Sequence, residues 1–132
     1  INGATMTGNA GNDAFNVSVA LGGVAATAMM PVITDFTKGD TIVFANKGTE
    51  VFTTTKVDST GFATAAAGLD ALCAGDGSTN GIVKWFQFGT DTYVVNDQTA
   101  GATFAATDFV VKLTGLVDLS TSTFDTVTLT FA

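Results

Sequence analysis

The stretch G-N-A-G-N-D-A-F-N at positions 8–16 combines a tight turn with the start of a strand. Its glycines, Gly8 and Gly11, permit positive φ angles, so the chain can turn with its carbonyl oxygens pointing inward. Asp13 adds a carboxylate two residues after Gly11, and carboxylate and carbonyl oxygens are the ligands that Ca²⁺ prefers. Phe15 then begins a strand. Taken alone, the stretch fits a calcium-binding turn and an ordinary turn equally well, since Gly, Asn and Asp favour both.

The composition describes one globular domain with an acidic surface. The chain has 132 residues, enough for a single core, and 46% of them are hydrophobic, which argues against disorder. Five Lys, no Arg and 12 acidic residues give a net charge of −7, which excludes binding to a phosphate backbone. The sequence contains no His, which removes His-based triads and His-ligated zinc. We therefore predict that the chain is not an enzyme.

The pattern of apolar residues predicts a mostly β fold, a β-roll or sandwich-like domain with one Ala-rich helix. Strands are predicted at 15–19, 32–36, 41–45, 50–57, 82–88, 92–95, 103–105, 109–113 and 127–131. The Ala-rich segment 61–73 predicts a helix, with Phe62, Ala66, Leu69 and Cys73 spaced for one face. No run approaches the roughly 20 apolar residues of a membrane-spanning helix.

A hairpin is predicted over residues 82–95, with its turn near Gly89. Trp85, Phe86 and Tyr93 lie in it, and they fit either the core or a platform on which a carbohydrate could stack. Alternation along the strands favours the core.

The remaining thiol and several aspartates are predicted to have no place in a site. Cys73 lies in an apolar stretch, which favours a small buried side chain over a reactive thiol. Asp76, Asp91, Asp97 and Asp118 are predicted to be solvated loop residues.

Three further segments resemble one protein family. I-T-D-F-T-K-G-D-T-I at 33–42 resembles the segment I-x-D-F-x-x-G-D-x-I that follows the calcium repeats in the C-terminal domain of serralysin-type and other RTX proteins. D-T-Y-V-V at 91–95 and D-F-V-V-K-L-T-G at 108–115 are similar to later strands of that domain. Residues 8–16 are similar to the calcium-binding nonapeptide G-G-x-G-x-D-x-U-x, with Asn9 in place of its second glycine.

The resemblance implies one RTX C-terminal-type domain over residues 1–132. Its parts would be a calcium-repeat edge at 1–20, a β domain at 21–119 and a C-terminal tail at 120–132. In this family the tail acts as an uncleaved signal for the type I export machinery. The chain is therefore expected to be secreted, and to lie outside the cell or on its surface.

The resemblance also implies the ligands of a Ca²⁺ ion. They are a carboxylate, the backbone carbonyls of its turn and two further aspartates: Asp13, Gly8, Ala10, Gly11, Asp35 and Asp40. Asp35 could equally cap backbone N–H groups, and Asp40 is favoured as a turn residue. Extracellular sites with an affinity of about 10⁻⁴–10⁻³ M fill outside the cell, and the bound ion then stabilises the fold.

A single repeat cannot complete its site or bury its strand, so its edge is expected to stack on preceding repeats or on another subunit. If Ile1 is a mature start, stacking on other subunits implies a homo-oligomer, filament or lattice. The expected function is therefore structural, in an S-layer, an adhesin or a filament. The alternative is the export and folding domain of a secreted hydrolase.

Overall fold

A computed structural model of the chain describes residues 3–17, 30–44, 50–73, 77, 80–105 and 107–132. Along the described chain the elements are β1 (Thr5–Met6), β2 (Ala14–Asn16), β3 (Val32–Ile33), β4 (Thr41–Val43), β5 (Val51–Phe52), α1 (Ala65–Leu72), β6 (Ile82–Phe88), β7 (Asp91–Asp97), β8 (Phe109–Thr114), β9 (Thr123–Asp125) and β10 (Thr128–Thr130). The strands form two mixed sheets, which confirms the predicted mostly β, sandwich-like fold with one helix.

The larger sheet has the order β1-β3-β8-β7-β6-β5, and the smaller one has the order β2-β4-β10-β9. Apolar side chains from both sheets form the main core, including Phe15, Ile42, Trp85, Val111 and Leu129. A second core fills the opposite face of the larger sheet, where α1 packs. Because the middle strands of the larger sheet are covered on both faces, they are apolar at consecutive positions.

The predicted hairpin is confirmed. β6 and β7 pair antiparallel, with Trp85 opposite Val94, around a turn in which Gly89 has a φ of 62°. Trp85 is 1% exposed and donates from Nε1 to the carbonyl of Thr54 at 3.0 Å. The rings of Phe86 and Tyr93 are also buried and stack at 5.0 Å. A stacking platform needs accessible rings, so these aromatic residues belong to the core.

The helix is shorter than predicted. Thr64 caps its first turn by accepting from the N–H of Ala67, and the buried face carries Ala65, Gly68, Leu69 and Leu72. Phe62 therefore lies before the helix, although its ring still packs on that of Phe86. Ala66, which was predicted on the same face, is only half-buried.

Two strand–turn–strand units lie side by side at one end of the sandwich. We name residues 5–16 coil 1 and residues 32–43 coil 2; each runs from the larger sheet to the smaller one. β1 pairs with β3 and β2 with β4, both in parallel, so equivalent positions lie 27 residues apart. Coil 1 therefore forms one edge of each sheet.

The C-terminal tail belongs to the fold. β10 lies between β4 and β9 in the smaller sheet, so the predicted strand at 127–131 is confirmed and a strand at 123–125 was missed. The strand predicted at 103–105 is not formed. Residues 18–19 and 45, predicted to extend two strands, lie outside the described residues.

Candidate calcium-binding turns

The turn of coil 1 rests on the carboxylate of Asp35 in coil 2. The N–H of Gly8 donates to Oδ1 at 2.9 Å, and the N–H of Asn9 donates to Oδ2 at 2.7 Å. Asn9 has a positive φ of 71°, a conformation that the short polar side chain of Asn tolerates. Asp35 thus holds the capping position that the sequence left open as an alternative to metal binding.

Asp40 has a similar role and is almost fully buried, at 1% exposure. Its Oδ1 accepts from the N–H of Asp13 at 2.9 Å, across the gap between the coils. Its Oδ2 accepts from the N–H of Thr37 at 2.7 Å and from the Thr37 hydroxyl at 3.2 Å. This carboxylate therefore closes its own turn and fastens coil 1 to coil 2.

Asp13 differs from both. Its carboxylate accepts no hydrogen bond from the described part of the chain, although its Oδ2 is buried. The carboxylate lies against the backbone of Gly8, where an added Cβ would stand 2.5 Å from that oxygen. A side chain at position 8 would therefore displace the Asp13 carboxylate. A buried oxygen without a donor is costly, and a cation or an N–H group would satisfy it.

The structure places the Asp13 carboxylate beside Gly8 and exposes Ala10 and Gly11 at the tip of the turn. Asp35 and Asp40 lie in the adjacent turn but hold backbone N–H groups. Of the three aspartates, Asp13 alone has a carboxylate that accepts no hydrogen bond within the described residues, and the whole Ca²⁺ ligand set stays a prediction.

Within the described residues, one group of three metal-ligating side chains has its ligand atoms within 4.8 Å of one another. It consists of Cys73 at the end of α1, Asp97 at the end of β7 and Asp108 just before β8. All three are fully buried. The solvated position predicted for Asp97 is wrong, because β7 continues through this residue beneath the segment that leads to β8.

Hydrogen bonds account for the burial of the Asp108 carboxylate. Asp108 accepts from the N–H of Gln98 and from the N–H of Ala105, each at 2.7 Å, and so closes the connection between β7 and β8. Burial raises the pKa of the Cys73 thiol well above its ordinary value, and the Asp108 and Asp97 carboxylates raise it further. The thiol is therefore protonated at neutral pH. No local motif marks this cluster, because its members come together only through the pairing of distant elements.

The other aspartates that were predicted to be solvated differ in their exposure. Asp91 is half-buried rather than solvated: it accepts from the N–H of Gly115 at 3.1 Å and pairs with Lys112 at 3.5 Å. Asp118 is exposed, as predicted, and its pKa is lowered by the N–H of Ser120, which donates at 3.0 Å. Asp76 lies outside the described residues.

The far side of the coil 2 turn is closed by the C-terminus. Phe131 exchanges backbone hydrogen bonds with Gly39 and Asp40, at 2.9 and 3.0 Å. Its ring also stacks on Phe36 at 5.6 Å. The turns therefore form a stack that is covered by Phe131 at one end and begins with coil 1 at the other.

Within the described chain, no helix has the length and apolar character needed to cross a membrane. No family model matches the sequence, and no curated protein matches it. The RTX resemblance stays a prediction that rests on the motifs at 8–16, 33–42, 91–95 and 108–115.

Proposed function

We propose that this chain is a non-catalytic, calcium-stabilised structural domain that acts outside the cell, in a surface assembly such as an S-layer, an adhesin or a filament. The proposal includes the export signal in the tail at 120–132. The observation that carries it is the position of coil 1. This coil forms the edge of both sheets, and its one carboxylate, on Asp13, has a buried oxygen without a donor in the described structure.

The edge of coil 1 suits the addition of another coil. The carbonyl of Asp13 and the N–H of Val17 both bond to β4, so the backbone groups of Ala14, which alternate with them, point away from the sheet. In the same way the carbonyls of Ala4 and Met6 accept from the N–H groups of Val32 and Thr34, so the backbone groups of Thr5 point outward. Such groups are templates for strand pairing.

Calcium fits the charge of this edge. Asp13 would hold the ion together with the backbone carbonyls of Gly8, Ala10 and Gly11. The positive ion would then be the partner of the buried carboxylate oxygen of Asp13. In a chain with a net charge of −7, such an ion also reduces self-repulsion. The folded state of such a domain would be less stable at the low calcium concentration inside the cell and more stable after export.

The hydrogen bonds that Asp35 and Asp40 accept support a structural role over an enzymatic one. A general acid or base must be able to exchange a proton with a substrate. Both carboxylates are instead engaged by backbone N–H groups.

The calcium part of the proposal is tested by thermal unfolding in about 10 mM CaCl₂ and in EGTA. This calcium concentration is on the order of ten times the dissociation constant of a weak extracellular site, which is about 10⁻³ M. Calcium is expected to raise the Tm by about 3–6 °C, since occupation at tenfold excess contributes about 1.4 kcal/mol. Asp13→Ala is expected to lose most of this gain.

Asp118→Ala is the matched control, because Asp118 is an exposed aspartate that also lies in a turn. It is expected to keep the full response to calcium. A Tm that is the same in calcium and EGTA would contradict the calcium assignment. An equal loss in both variants would contradict the assignment to Asp13.

A further inference from the structure

Coil 2 shows what a coil looks like when another coil lies on it. The register places Ala14 opposite Thr41, so Asp13 holds in coil 1 the position that Asp40 holds in coil 2. Asp40 accepts the N–H of the residue 27 positions earlier, which is Asp13 itself. Thr41 completes this contact by donating its N–H to the carbonyl of Asp13 at 2.8 Å.

Asp13 presents the same groups without the same partners. Its carboxylate accepts no hydrogen bond from the described residues, and the outward backbone groups of Ala14 take the place of those with which coil 2 meets coil 1. Coil 1 carries no other acidic residue. Asp13 is therefore the one carboxylate on this edge that can fasten an incoming turn.

We infer that coil 1 receives a further strand–turn–strand coil in the same parallel register, and that Asp13 accepts a backbone N–H from the turn of that coil as Asp40 does from coil 1. The inference rests on the stacking part of the proposed function. A carboxylate has two oxygens, so the incoming N–H group and a calcium ion can occupy different ones.

The partner is a segment like residues 8–13, with a turn that presents its N–H groups toward coil 1. One position distinguishes it. The Asn12 side chain lies over Gly39, where a Cβ would collide with it. In coil 1 the place of Gly39 is taken by Asn12, since the coils are offset by 27 residues. A glycine at this position of the incoming coil leaves no side chain that could collide with Asn12.

The test is a chain lengthened by one coil. A second copy of residues 3–29, with Asn12 of the added copy changed to Gly, is placed before Gly3, so that the added turn lies 27 residues before that of coil 1. Thermal unfolding is measured in EGTA, which removes any contribution from calcium. The control is the same lengthened chain with Ala14→Pro in coil 1, because proline removes an outward N–H group that the added strand needs.

The lengthened chain is expected to melt higher than its Ala14→Pro control. Asp13→Ala in coil 1 should then lower the Tm by about 5 °C more in the lengthened chain than in the original chain. Asp13→Asn should show much less of this additional loss, because an amide oxygen still accepts an N–H group.

Each part fails separately. If the lengthened chain melts no higher than the control, coils do not stack on this edge, and both the stacking proposal and the inference are overturned. If it melts higher but Asp13→Ala costs the same in both chains, stacking stands and the role of Asp13 is overturned. The response to calcium is measured separately, by thermal unfolding of the original chain in CaCl₂ and in EGTA.

Discussion

At the scale of single residues, Cys73 is the side chain whose surroundings differ most from its sequence context. The sequence places it among alanines, and the fold places its thiol within 4.8 Å of the buried carboxylates of Asp97 and Asp108. A thiolate there would be desolvated and repelled by two negative charges. The thiol is stable only in its protonated form, in which it can donate to Asp108.

This environment predicts a loss of stability at alkaline pH. The pKa of the Cys73 thiol is raised in the folded state above its ordinary value of 9.0. Its contribution to stability is therefore complete below pH 9 and is lost as the pH rises above that value. The free energy of unfolding should fall by about 1.4 kcal/mol between pH 8 and pH 10 on this account. Urea unfolding across this range measures the loss.

Cys73→Ala separates the thiol from other groups. The pKa of Tyr93 is also raised, chiefly by burial, so some alkaline loss is expected in any variant. The variant should be less stable than the parent chain at pH 8 and should have a smaller alkaline loss. An identical pH dependence in both chains would show that the thiol does not titrate with unfolding.

The cluster also shows which residue-level features the sequence can predict. The burial of Cys73 follows from its apolar neighbours and is confirmed. The burial of Asp97 and Asp108 does not, since aspartates beside Gln98 and Thr107 have the composition of a loop. Their environment depends on the closure of the connection between β7 and β8 by Asp108, a contact that no local pattern encodes.

At the scale of elements, the turn of coil 2 depends on one carboxylate. Asp40 joins the two ends of its own turn and also the backbone of coil 1, so its removal leaves N–H groups of both turns without an acceptor. An unsatisfied buried donor costs about 1–3 kcal/mol, and bonds to a charged acceptor lie at the upper end.

Asp40→Ala is therefore expected to lower the free energy of unfolding by about 3 kcal/mol or more. Asp118→Ala is the matched control, since Asp118 caps a single N–H group at the surface, and it should lose less than about 1 kcal/mol. Urea unfolding in EGTA gives both values. Similar losses in the two variants would mean that the bonds of Asp40 do not hold the coils together.

The elements that were predicted correctly are those with local signals. The β6–β7 hairpin has two alternating strands around a glycine turn, and α1 has an Ala-rich segment behind a Thr cap. The pairing of the coils has no such signal, because parallel strands need a long connection. The only trace is the recurrence of an aspartate followed by a short apolar strand, at Asp13 and again at Asp40. The sequence therefore predicted one repeat where the structure has two coils.

At the scale of the molecule, the two ends of the turn stack are not equivalent. Phe131 covers the turn of coil 2 on one side, while coil 1 presents outward backbone groups on the other. An interface between an edge of this kind and a different surface of a second copy is heterologous, and a heterologous contact that does not close into a ring produces a filament. The polarity of the stack therefore favours extended assembly over a symmetric dimer.

The final prediction is that the chain assembles in calcium through the edge of coil 1. Electron microscopy and light scattering should detect ordered polymers in about 10 mM CaCl₂ and monomers in EGTA. This CaCl₂ concentration lies above the dissociation constant of about 10⁻⁴–10⁻³ M that is expected of an extracellular site. Ala14→Pro should abolish assembly, because it removes an outward N–H group, and should leave the monomer folded, because edge strands accept proline at such positions. Ala14→Val keeps the N–H group and should still assemble. Polymers of Ala14→Pro would place the interface elsewhere. A parent chain that stays monomeric in calcium would favour the export and folding domain of a secreted hydrolase, for which coil 1 needs only the coils of its own polypeptide.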